Sequence, residues 1–285
     1  MDSMNSSAAT VHFDRNRQSR NDWDSFADHR ASVTGLIQAV GRRRDANAKS
    51  DDESLVVLGV GNGNDLDLPS LISRYRSTTL VDLDVEAIEY CRSRLPADVS
   101  AVVDTASPVD LSGVLGRLPA CDENASKSKW DTWLQQARNP DPGSVPMGDV
   151  VVSTCLISQL LDTVICGLPP DHPQLADAML AVRDGHLNLL SRLTKPGGTA
   201  ILITDMVSSD TLPQLDRVSR FKLPKLVRAA VESQNFFTGL NPAVLMHKLS
   251  PPENDRAAST AIHGPWRWRL GPRLFAVIAI TTEMK

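Results

Sequence analysis

The densest chemical signal is Gly59-Val60-Gly61-Asn62-Gly63-Asn64, set directly after the aliphatic run Leu55–Leu58. Glycines between a strand and a helix let the backbone approach a ligand and accept positive φ. A dinucleotide fingerprint needs a third glycine where Asn64 stands, so that pattern fails. No Gly-Lys-Ser/Thr follows, which excludes a phosphate-binding P-loop. About twenty residues further on, the run Thr78–Leu83 carries Asp82, placed where a carboxylate accepts two hydrogen bonds from a ribose diol. The run Val99–Val103 leads into Asp104-Thr105, where a carboxylate can accept from an adenine amino group. Each of these acids has a second possible role, capping the helix that follows its strand.

The elements that must position these residues follow from the same runs. Residues 55–58, 78–83, 99–103 and 149–153 are short and aliphatic, and helical stretches separate the first three. Strand alternating with helix predicts right-handed crossovers and a doubly wound α/β sheet. Ligands bind such sheets at the carboxyl ends of the strands. Before the first strand, Trp23, Phe26, Ala27, Val33, Ile37 and Val40 recur at helical steps. After the fourth, Leu175, Met179, Val182, His186, Leu189, Leu190 and Leu193 make another helical face. Pro196 and Gly197 then turn the chain into a fifth strand, and the Gly271-Pro272 turn closes a hairpin at the end. The expected division is a flexible tail over 1–20, a helical cap and loop over 21–53, and the main domain over 54–285. An insertion at 117–149, with a short helix around 129–138, reads as a lid or a loose excursion.

In these motifs the chain resembles the class I S-adenosylmethionine-dependent methyltransferases, over roughly residues 54–205. VVLGVGNGND is similar to the family's first motif, VDLD to its second and VVDT to its third. GDVVVSTCLISQL looks like the fourth, and LSRLTKPGGTAILITDM like the helix, turn and strand beyond it. The resemblance implies a Rossmann-like sheet of seven strands ending in an antiparallel hairpin, flanked by helices. It implies S-adenosylmethionine as cosubstrate, with Gly59, Gly61, Asn62 and Gly63 under its amino-acid end. It places Asp82 and Leu83 at the ribose, Asp104 and Thr105 at the adenine, and Thr154 with Cys155 near the sulfonium.

The family usually carries an acid two residues before its first loop glycine, and here that place is Gly59. Asp65 or Asp67 is a candidate to supply the missing charge; the alternative for both is helix capping. No Asn/Asp-Pro-Pro-Tyr element follows the fourth strand, and no catalytic triad is visible. Conceivable bases are His29, His186 and His247. His186 reads as a core histidine, and His29 with Arg30 as solvent-exposed or as part of an acceptor pocket. Asn235-Phe236-Phe237-Thr238-Gly239 reads as a segment that shapes the acceptor site or merely packs a loop. The basic residues Arg217, Arg220, Lys222, Lys225 and Arg228 read as a solvated face.

Composition narrows the partners. The chain has 285 residues, a net charge of −4 and only 5% aromatic residues. This argues against wrapping nucleic acid or stacking single strands, and favours a small-molecule acceptor. No apolar run reaches the ~20 residues that span a bilayer. The beginning is polar and lacks a secretory pattern. Cys91, Cys121, Cys155 and Cys166 are scattered without a metal-binding spacing. The expectation is a cytoplasmic methyltransferase without a metal. Two other readings stand beside it: a non-catalytic binding protein on the same fold, and a NAD-dependent oxidoreductase, which the absent third glycine disfavours.

Overall fold

A computed structural model describes residues 7–41, 53–114 and 127–285. Seven strands form one sheet: β1 (Ser54–Leu58), β2 (Ser77–Val81), β3 (Val103–Ala106), β4 (Gly148–Thr154), β5 (Thr194–Ser208), β6 (Ala257–Leu270) and β7 (Arg273–Met284). Their order across the sheet is β3-β2-β1-β4-β5-β7-β6. Strands β1 to β5 pair in parallel, and β7 runs antiparallel between β5 and β6. The hairpin therefore reaches the edge only through β6. Its turn is made possible by Gly271 at φ +56°.

The aliphatic runs form central strands because both faces are covered. Leu55 and Val57 join Val33 and Ile37 of α2 (Ala27–Gly41) and Leu71 of α3 (Leu68–Ile72) in one core. Val56 and Leu58 join a second core on the other face, with α6 (Lys127–Arg138), α7 (Leu156–Gly167), α8 (Leu175–Leu193) and α10 (Pro242–Leu249). Each such side chain, fully buried, contributes about 1.5–3 kcal/mol. A smaller core lies under α9 (Leu223–Glu232), around Met206, Leu215 and Ala276. On α9 and the turn before it, all five basic residues from Arg217 to Arg228 face solvent.

Three expectations need correction. The stretch 1–20 is no loose tail where it is described: Ser7–Ser19 is a helix, α1. Its apolar face is weak, so periodicity did not reveal it; polar contacts hold it instead. The insertion is packed from its helix onward, because Trp130, Trp133, Leu134 and Ala137 of α6 are buried in the core. Residues 115–126 of it lie outside the described residues. The third strand begins later than expected. Ala97–Ser100 forms a helical turn after Pro96, and α4 (Val85–Ser93) precedes it. Pro96 holds a φ of −51° that suits a helix start.

Candidate functional site

A cavity of about 730 Å³ opens at the carboxyl ends of the parallel strands. Strand order runs outward from β1 to β2 and β3 on one side and to β4 and β5 on the other, and such a switch point leaves a crevice. The Gly loop forms its floor. Gly59 N–H donates to Val81 O at 2.9 Å, and Gly63 N–H to Val60 O at 2.9 Å. Asp82 fixes the loop to the next strand end: Gly61 N–H donates to Oδ2 at 2.7 Å and Asp84 N–H to Oδ1 at 2.9 Å. Burial pushes the Asp82 carboxyl up to about 6, against the pull of these backbone donors.

The structure brings Gly59, Gly61, Asn62, Asp65, Asp82, Leu83 and Thr154 to the cavity wall. Gly63, Asp104 and Thr105 stay outside it. A Cβ on Gly63 would lie 2.5 Å from Cys91 Sγ, so that glycine serves loop-to-helix packing. Asp104 pairs with Thr79 within β3, two residues short of the strand end at Ala106, and both Asp104 and Thr105 are exposed. The later start of β3 is the cause. Val109 and Leu111, beyond that end, line the cavity instead.

At Gly59 the place of the family's acid is occupied by another side chain. Gly59 has φ +73°, and a Cβ there would meet Leu156 Cβ at 2.9 Å. Thr154 Oγ1 donates to Gly59 O at 2.9 Å, holding the loop against β4. Of the two substitute acids, Asp67 caps α3, accepting from Ser70 N–H at 3.3 Å. Asp65 does not cap. It lies 3.1 Å from His29 Nε2 and lines the cavity. His29 is only 1% exposed, neither solvated nor part of the cavity lining. Trp266 Nε1–H donates to His29 Nδ1 at 2.9 Å. An indole N–H can only donate, so Nδ1 is the acceptor and Nε2 carries the proton. His29 Nε2 and Asp65 Oδ1 are close but not aligned as a hydrogen bond. Arg30 lies over Trp23, 3.5 Å from the ring centroid, and also stays outside the cavity.

Helix α1, missed from the sequence, forms a wall of the cavity through His12, Arg15 and Asn16. Asn62 Nδ2 donates to Asn16 O at 2.6 Å, and Asn64 Nδ2 to Ser19 O at 2.7 Å. Asn16 Nδ2 reaches Asp84 Oδ2 at 3.0 Å, and Arg15 pairs with Asp162. The open side of Gly61 faces Asn16 Oδ1 at 2.9 Å from a Cβ position, so α1 is what that glycine admits. The only trace of this in the sequence is the cluster of amides in Asn16, Asn62 and Asn64.

At the far side of the switch point, β5 carries one extra residue, Met206, between Asp205 and Val207 in its pairing with β7. Such a bulge re-aims neighbouring side chains. Asp205 lines the cavity and accepts from Ser158 Oγ–H at 2.6 Å. Burial raises its pKa, partly countered by Ser158. Met206 O accepts Phe237 N–H at 2.7 Å, which seats Phe236, Phe237 and Thr238 in the cavity wall. The acceptor-shaping segment read from the sequence therefore does border the cavity. Cys155, left-handed at φ +47° before α7, is fully buried and its thiol is pushed well above the ordinary range by burial. His186 lies in the core, 2.8 Å from Ser153 Oγ, and burial lowers it to about 4. His247 is exposed and remote from the cavity lining. Among the described residues no group of side chains has the make-up of a metal site, and no helix is long and apolar enough to cross a membrane.

No protein-family model matches the sequence, and no curated protein matches it. Solved structures do. The plantazolicin methyltransferase BpumL in complex with SAH is 10% identical at a TM-score of 0.46, covering 99% of this chain and 92% of its own. The methyltransferase domain of bacterial CtHen1-CN is 13% identical at 0.44, covering 89% of this chain and 98% of its own. An rRNA methylase from Streptococcus thermophilus is 10% identical at 0.42, covering 88% and 94%. The fold itself rests on strand order. The sheet β3-β2-β1-β4-β5-β7-β6 with an antiparallel β7 is the seven-stranded, hairpin-terminated Rossmann-like arrangement that the resemblance to class I methyltransferases implies.

Proposed function

We propose that the chain is an S-adenosylmethionine-dependent methyltransferase with a small-molecule acceptor. One observation carries this reading: a single cavity runs from a carboxylate at the end of β2, over a Gly loop, to a carboxylate beside the bulge of β5. The residues suit the cosubstrate. Asp82 faces the place of a ribose, and Leu83, Val109 and Leu111 offer an apolar slot for the adenine. Asp65, which lines the cavity beside His29, takes the part of the acid absent at Gly59 and pairs the methionine ammonium. A buried unpaired cation is costly, so some carboxylate must stand there. When bound, the sulfonium supplies an activated methyl group, whose C–S electron pair stays on sulfur as a nucleophile takes the carbon. The protein's own work is then alignment and exclusion of water, which contribute much of the rate in a two-reactant transfer. Ser158 and Asp205 lie beyond the sulfonium region, where the acceptor enters.

Isothermal titration with S-adenosylmethionine, S-adenosylhomocysteine and NAD tests the reading. The first two should bind and NAD should not; the reverse would make the chain a nicotinamide enzyme. Asp65→Asn should weaken S-adenosylhomocysteine by at least tenfold, and an analogue lacking the amino group much less. Equal losses on both ligands would remove Asp65 from the ammonium. Leu156, standing where the family's acid would project, favours a second reading: a protein that binds the cosubstrate without turnover. Binding with no methyl transfer to any acceptor supports that one.

A further inference from the structure

The aromatic residues are unevenly placed. Trp, Tyr and Phe make up 5% of the chain, yet Phe26, Phe236, Phe237, Trp268 and Phe275 all line the cavity. Trp268 and Phe275 belong to β6 and β7, Phe237 is held by Met206 of β5, and Phe26 lies just before α2. Their rings touch in series. Phe26 meets Trp268 edge-on at 5.3 Å, Trp268 meets Phe275 at 5.3 Å, and Phe275 meets Phe237 at 6.2 Å. His29 stacks behind Trp268 at 5.0 Å, fixing its plane. Trp268 keeps an indole N–H without an acceptor among the described residues.

Asp65 and Asp205 both border the cavity with this wall, and Asp205 is the one carried by β5 beside its bulge. Asp205 is 5% exposed, and its only side-chain hydrogen-bond partner among the described residues is Ser158. The cavity's guanidinium groups make their ion pairs elsewhere, Arg15 with Asp162 and Arg273 with Asp210, and Arg15 and His29 act on Asp205 only through space. A buried carboxylate with no cation in hydrogen-bond contact has room for a hydrogen-bond donor from outside the protein.

Resting on the methyltransferase reading, we propose that the acceptor is a flat apolar molecule bearing a hydroxyl or amino nucleophile, packed on Trp268, Phe275 and Phe237 with that group donating to Asp205. Asp205 is then the catalytic base. It receives the proton that the hydroxyl or amine sheds as it is methylated, and later returns it to water. Burial raises its affinity for that proton, which suits the task. The bulge at Met206 serves both halves of the site, turning Asp205 inward and holding Phe237 by its backbone.

The test begins with S-adenosylhomocysteine titrated into the intact protein. If it does not bind, the methyltransferase reading falls and this proposal with it. If it binds, the loaded protein is titrated with 1-naphthol, 1-aminonaphthalene, naphthalene and cyclohexanol. At least one of the first two should bind ten times tighter than both naphthalene and cyclohexanol, and the tighter one identifies an oxygen or nitrogen nucleophile. Asp205→Asn should keep S-adenosylhomocysteine affinity within threefold, erase the preference over naphthalene, and abolish probe methylation. Phe237→Leu should weaken both naphthalene derivatives at least fivefold without altering the preference. Equal binding of all four probes, or an Asp205→Asn protein that retains the preference, overturns the proposal while leaving the cosubstrate reading intact.

Discussion

Asp82 should make ligand binding and folding depend on pH in a direction the structure fixes. Its carboxyl is raised from 3.8 to about 6 by burial. One pKa unit corresponds to about 1.4 kcal/mol, so holding this group ionised costs the fold about 3 kcal/mol. The sign follows from which state takes up the proton first. A carboxyl with a raised folded value is protonated in the folded state while the unfolded chain is already ionised. Its stabilising contribution is therefore complete below 3.8 and is lost as pH rises through about 6. Asp82→Asn removes that dependence. It also turns an amide N–H₂ toward Gly61 N–H or Asp84 N–H, which costs about 1–3 kcal/mol. At pH 7 the two effects nearly offset, so the variant should be within about 2 kcal/mol of wild type. The difference between the proteins should change by about 2 kcal/mol between pH 4 and pH 6.5, read by urea unfolding. A ribose diol donating to Asp82 favours the ionised form, so S-adenosylhomocysteine should expel a proton on binding near pH 6. Titrations in two buffers of different ionisation enthalpy should then disagree for wild type and agree for Asp82→Asn. Parallel pH curves for the two proteins, or agreement between buffers for wild type, would refute the assignment.

His186 acts in the opposite sense. Burial lowers it from 6.5 to about 4, so the unfolded chain takes up the proton first, and stability should fall by about 3 kcal/mol as pH drops from 6.5 to 4. Urea unfolding of His186→Leu should lack that fall, and a wild-type-like loss in the variant would contradict it. Gly185 lets α8 lie directly on α6, and a Cβ there would collide with the backbone carbonyl of Ala137. Gly185→Ala should cost about 1–3 kcal/mol and lower Tm, whereas an unchanged Tm would mean that α6 is loosely held.

Much of the fold was legible because burial on both faces leaves a simple trace. Leu55–Leu58 and Val150–Val152 are continuous aliphatic runs, and each lies within a strand of the parallel sheet. The hairpin was legible from its Gly-Pro turn between two β-rich runs. The third strand was misplaced because Val99 and Val102 look like strand residues, yet Pro96 starts a helical turn there. Helix α1 was illegible for a different reason. Its attachments are amide and guanidinium hydrogen bonds to residues as far away as Asp162, and polar contacts of that kind leave no periodicity in the chain.

The site shows the same division at finer scale. Asp82 reaches the cavity wall, as strand end, spacing and residue type together predict. Asp104 satisfied two of those and failed on the first, since its strand continues past it. Asp65 and Asp67 both follow the loop and either suits a cap, but Asp65 stands where the loop enters the helix and is the one placed to turn back toward the pocket. What separates them is three-dimensional: Thr34 Oγ1 fixes the Asp67 backbone at the start of α3, while His29 from the preceding helix reaches Asp65. His29 is in turn set by Trp266, 237 residues away in sequence. The altered loop and the buried histidine are thus one arrangement. Leu156 fills the space an acid at position 59 would need, and the strained φ there admits only glycine comfortably. The carboxylate that does reach the cavity stands at the other end of the loop, where His29 Nε2 comes within 3.1 Å of Asp65 without the alignment of a hydrogen bond.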